Sequence, residues 1–189
     1  MRTMKLLTAT ALSLVAVSDV AFAHPGHAAS GLVSGLSHPM AGLDHLLAML
    51  AVGVWAAQQP TSRAWQGPTV FIALLAIGAG LGLTGIGMPF VEPGILASVI
   101  MFGLLIATGR YLPANVGLAI IGGFALLHGH AHGTEAVGSI ATYMAGFLAA
   151  STLLHLTGFA IGRTAALIRY GVPATGMVLA AAGVALAGA

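Results

Sequence analysis

Six long apolar stretches, at about 36–57, 69–87, 91–109, 113–132, 136–160 and 171–188, leave this chain almost no surface that water would accept. Each is about as long as a helix needs to cross the hydrocarbon core of a bilayer. Pro, Gly and the few charged residues mark the breaks between them. Only 5% of the 189 residues are charged, against about a quarter in a soluble domain. A water-soluble fold is therefore excluded, and the mean hydropathy of +1.01 agrees. The expected architecture is an all-α, polytopic membrane bundle of six transmembrane helices, forming one domain over residues 24–189.

The first 23 residues read as a targeting signal. Arg2 and Lys5 form a basic start, an apolar run follows from Leu6 to Val17, and Ala21-Phe22-Ala23 supplies small residues where a signal peptidase reads. Cleavage after Ala23 would give a mature chain beginning His24-Pro25-Gly26-His27. Four Arg then remain, and they set the orientation. With the mature N-terminus outside, Arg63, Arg110, Arg163 and Arg169 all fall in cytoplasmic loops, as the positive-inside rule asks. Both mature termini then lie outside. Gly31 to Ser37 reads as a short interfacial or re-entrant turn leading into the first span.

Several chemistries are absent from the residues. No Cys is present, which removes disulfides, thiolate metal sites and thiol nucleophiles together. No basic stretch suits nucleic acid, no phosphate-loop pattern suits a nucleotide, and nothing calls for an organic cofactor. The partners expected are the lipid bilayer and a small ion; oligomerisation stays open. Glycines within the spans read as close helix packing, because small residues let backbones approach.

Ionisable residues inside a span are expensive unless paired or turned to a cavity, so each is a candidate functional group. The first apolar stretch carries His38-Pro39-Met40-Ala41-Gly42-Leu43-Asp44-His45. On one continuous helix, His38 and His45 would share a face two turns apart. Asp44 could pair with His45, and Pro39 loosens the helix by withholding a donor from Gly35. The fourth stretch ends in Leu127-His128-Gly129-His130-Ala131-His132-Gly133-Thr134-Glu135. His128, His132 and Glu135 fall on one helical face, with His130 on the other. The Arg-based topology brings both clusters to similar depth near the outer side.

Imidazoles with one or two carboxylates suit a borderline divalent metal such as Ni, Co, Zn, Cu(II) or Fe(II), whereas Mg and Ca prefer oxygen alone. A metal-free polar network is the plain alternative. His155, alone in the fifth stretch, reads as a buried core His or as a later stop on a pathway. His24 and His27 could capture a metal beside the free amine, or form an exposed tail.

At HPMAGLDH and LHGHAHGTE the sequence resembles the HupE/UreJ family of hydrogenase and urease accessory permeases. His38, Asp44 and His45 match its His-x5-Asp-His pattern. His128, Gly129, Ala131, His132, Gly133 and Glu135 match its Phe-His-Gly-x-Ala/Val-His-Gly-x-Glu pattern, with Leu127 standing where the family usually has Phe. The resemblance implies a non-enzymatic permease for nickel, with Co2+ as the alternative ion, in the bacterial inner membrane with the mature N-terminus in the periplasm, supplying nickel enzymes such as hydrogenase or urease. The ligand chemistry by itself also leaves Zn2+ open. It implies His38, Asp44, His45, His128, His132 and Glu135 as the metal ligands. The residues by themselves leave two rivals: an intramembrane zinc hydrolase using a carboxylate as general base, and a metal-binding sensor that moves nothing.

Overall fold

A computed structural model describes residues 31–188. The signal segment expected at 1–23, and His24 and His27, lie outside the described residues. Those described form seven α-helices and no strand: α1 (Gly31–Ala41), α2 (Leu43–Ala57), α3 (Gln66–Leu83), α4 (Val91–Thr108), α5 (Ala114–Thr134), α6 (Ile140–Ala165) and α7 (Gly171–Ala187). A 3-10 turn at Gly109–Tyr111 joins α4 to α5.

Four helices, α3 to α6, are by themselves long and apolar enough to cross a membrane; a fifth span results if α1 and α2 are taken together. The last helix, α7, is apolar but has only 17 residues. The stretch 36–57, expected as one span loosened at Pro39, is broken instead: α1 and α2 meet at 84°. Gly42 is the joint. It adopts an extended backbone (φ −107°, ψ 126°) and its carbonyl accepts the first bond of α2, from Leu46 N–H at 3.0 Å. A side chain at Gly42 would meet Asp44 Oδ1 and His45 Nδ1 below 3 Å. A larger residue there would push the Asp44 carboxylate and the His45 ring out of their paired position. His38 and His45 therefore do not share the face of one helix; they stand on two helices, one on each side of the joint.

Helix α2 is buried on every side from Ala51 to Ala57, which marks it as the centre of the bundle. Phe71, Leu75, Val99, Phe102, Ile121 and Phe147 close around it and its own Trp55. Surrounding helices turn Ile77, Leu104, Leu153, Leu156 and Val178 outward, which suits contact with lipid chains.

Four seams hold the bundle, and glycine makes each. Along the parallel pair α3/α5, a Cβ on Gly78, Gly82, Gly129 or Gly133 would overlap the facing backbone. Along α2/α6 the same holds at Gly53 and Gly158, and along α1/α6 at Gly35 and Gly146. Antiparallel α4/α7 meet at Gly103, Gly176 and Gly183. Without a hydrophobic force between helices in lipid, such close approach supplies the packing energy. Phe90 and Tyr170, both exposed and both left-handed (φ 58° and 62°), stand immediately before α4 and α7, at opposite ends of the bundle.

Candidate metal centre

The site is built by two crossings near one end of the bundle. Gly129 and Gly133 press α5 against α3, so that His128 and His132, one residue earlier in each turn, look away from that seam toward α1 and α2. The bend at Gly42 brings His38 from one side and His45 from the other against the same helix face. The His132 ring lies 4.7 Å from that of His38 and 4.6 Å from that of His45; His128 lies 5.0 Å from His45. Phe147 backs His132 at 4.1 Å.

Two groups of potential ligands result. His45, His128 and His132 offer one ligand atom each within 4.8 Å of one another, and so do His38, His132 and Glu135. His132 belongs to both. The first group is deep: His128 is fully buried and His132 is 1% exposed. The second reaches the surface, with the Glu135 side chain 55% exposed and its Oε2 accepting a bond from His38 Nε2 at 2.9 Å. Glu135 sits just past the end of α5 as its cap residue, not on the helix face the spacing suggested.

Hydrogen bonds fix which nitrogens are free. The Asp44 carboxylate accepts from His45 Nδ1–H at 2.8 Å and from the His45 backbone N–H at 2.8 Å, which leaves His45 Nε2 as a bare acceptor. The Ser98 hydroxyl donates to the Ile95 carbonyl at 2.6 Å. Its oxygen can then only accept from His128 Nε2–H, 2.9 Å away, so His128 Nδ1 carries the lone pair. His45 Nε2, His128 Nδ1 and both nitrogens of His132 are buried without a protein partner. Buried polar atoms in a folded protein nearly always have partners. A set of aimed, unpartnered imidazole nitrogens, two of them held by a carboxylate or hydroxyl behind, has the donor chemistry that could hold a divalent metal.

His130 takes no part: its Nε2–H donates to the Ile86 carbonyl at 2.7 Å and ties α5 to the segment before α4. His155 is also apart, 2% exposed and separated from His128 by the Phe71 ring. The sequence reading missed Ser98, a small residue in an apolar helix whose role appears only when α4 packs beside α5. It also missed Glu92, which joins Asp44, Leu43, Pro93, Leu96 and Leu186 in lining a cavity of about 480 Å³. Two carboxylates on one hollow beside the deep histidines make a cation-attracting approach.

Comparison with known proteins bears on what such a centre serves. Residues 12–186 match a family model described as HupE / UreJ protein. Protein HupE of Rhizobium leguminosarum bv. viciae is 42% identical over 183 residues, covering 95% of this chain and 94% of its own length. No solved structure matches the chain.

Proposed function

The chain belongs to the HupE / UreJ family, and from that premise we propose that it is an inner-membrane secondary permease for divalent nickel. Cobalt is the alternative cargo, and nickel enzymes such as hydrogenase or urease are the consumers. The observation that carries the reading is the double membership of His132, whose two ring nitrogens are unpartnered between two ligand groups at different depth. A storage or catalytic site needs one ligand set. Two sets sharing a ligand suit an ion that changes partners without being released.

The steps follow from depth and charge. The carboxylates of Glu135, Asp44 and Glu92 draw a cation from the outer side, where the positive-inside arrangement of Arg63, Arg110, Arg163 and Arg169 puts this end of the bundle. The ion, still partly hydrated, is held first by His38, His132 and the exposed Glu135. It then exchanges His38 and Glu135 for His45 and His128 while His132 keeps hold. Asp44 supports His45 and Ser98 supports His128, each keeping a ring nitrogen turned inward. No nucleotide site is needed for drive, since two charges moving inward gain about 4–5 kcal/mol per 100 mV of membrane potential.

Uptake of ⁶³Ni²⁺ into proteoliposomes at an inside-negative potential tests the reading, with wild type beside His45→Ala and His132→Ala. Uptake by wild type and loss in both variants is expected. Tight nickel binding by the purified protein without any uptake would overturn transport and favour a sensor.

A further inference from the structure

The ligand groups described so far lie near one end of the bundle, and a permease must also let its ion go at the other. On the transport reading, we propose that His155 is the inward ligand of the route, reached from His128 past the Phe71 ring and opening into a cavity between α3 and α6.

Three independent features meet at this residue. His155 is 2% exposed and neither ring nitrogen has a partner, a cost that a core histidine without a function would not carry. Its neighbour Phe71, fully buried, lies between two imidazoles, 5.7 Å from His128 and 5.0 Å from His155 between ring centroids. One aromatic ring thus touches both the deep ligand group and His155. Third, His155 lines a cavity of about 270 Å³, together with Trp65, Thr69, Thr152 and Phe159. Trp65 precedes α3 at the end of the bundle that carries the Arg63 loop.

Packing decides the direction of escape. On the α2 side a Cβ on Gly53 would overlap the His155 carbonyl, and one on Gly158 the Leu50 carbonyl. Those backbones are in contact and leave no room for an ion. On the α3 side lies the cavity, whose outer wall includes the lipid-facing Leu156. Its lining has no carboxylate, and His155 is the one strong metal-binding side chain there. Conduction needs binding strong enough to enter and weak enough to leave. The descending ligand supply, from three-ligand groups backed by carboxylates to a single histidine, provides that gradient.

The absence of Cys from the chain allows a clean test. His155→Leu and His155→Cys are reconstituted beside wild type in phosphatidylethanolamine–phosphatidylglycerol vesicles, and equilibrium Ni²⁺ binding is measured on the same purified proteins. Expected for His155→Leu is unchanged binding at the His45/His128/His132 group, with initial uptake reduced at least by the roughly tenfold that losing a supporting residue of a metal site costs. His155→Cys, which restores a metal-binding side chain, should recover uptake. Its thiol should react with an impermeant thiosulfonate from the Trp65 side alone, more slowly with Ni²⁺ present, and from both sides once Phe71→Ala is added. Wild-type uptake with His155→Leu equally active would overturn the proposal, as would loss of binding together with uptake, which marks a structural role. Should wild type itself not transport, the permease reading falls. Protection of the thiol by Ni²⁺ would then still show an ion reaching this position, and lack of protection would sink it.

Discussion

The last three turns of α5 pack on α3 along Gly129 and Gly133 and face α1 and α2 along His128 and His132, one residue earlier each time. On the first face the backbones touch and nothing fits between them. On the second, imidazole nitrogens are left without partners. The two faces depend on each other, because a seam with no slack is what fixes the rotation of the helix and hence the aim of its histidines. A motif that reads as a list of ligands is half scaffold.

Breaking the scaffold should cost most. In Gly129→Ala the new Cβ overlaps the Leu75 carbonyl, and overpacking typically costs about 1–3 kcal/mol and occasionally more. The expected result is a lowered unfolding midpoint in detergent together with loss of nickel binding, since helix and ligands move as one. Removing a ligand instead should separate the two. His132→Ala should keep its unfolding midpoint and lose nickel binding by more than the roughly 10–100-fold that supporting residues contribute, as read by equilibrium dialysis. A retained affinity there would show that the two ligand groups do not depend on their common member. Ser98→Ala should fall between, weakening binding by roughly 10–100-fold, because the His128 ring loses the acceptor that sets its tautomer.

These effects were unevenly legible in the sequence. Hydropathy alone announced a helical membrane bundle, and the i, i+4 spacing was enough to put His128 and His132 on one face and His130 on the other. The bend was not legible. Pro39 signalled a weakened helix, but hydropathy averages over a stretch and carries no angle, so 84° at Gly42 came only with the fold. Ser98 and Glu92 stayed hidden for a related reason. Each acquires its role from α4 packing beside α5 or α2, a contact across long sequence separation with no local pattern. Phe71 is one apolar residue among many until the rings on either side of it are known.

Smaller effects sharpen the same contrast. His130→Gln gives up the bond to the Ile86 carbonyl, worth about 1 kcal/mol net. A small drop in the unfolding midpoint with nickel binding unchanged would keep His130 on the scaffold side. Smallest of all should be Gly123→Ala, where an added Cβ meets nothing within 4 Å. A neutral or slightly raised midpoint there, beside the collapse of Gly129→Ala, would show that the seam depends on which glycines face α3, not on how many the helix has.

The paired helices α4 and α7, with 18 and 17 residues, have a consequence for the lipid around them. At 1.5 Å per residue they are about 26–27 Å long, a few Å less than the hydrocarbon core of an average bilayer, about 30 Å. Phe90 and Tyr170 stand at the opposite starts of this pair, where aromatic side chains favour the headgroup boundary. A helix shorter than the core gains no reach by tilting, so a bilayer of average thickness would have to thin beside the pair. Helix α3, also of 18 residues, has the same reach, so a thicker membrane would strain these three helices before the 21-residue α5 and the 26-residue α6.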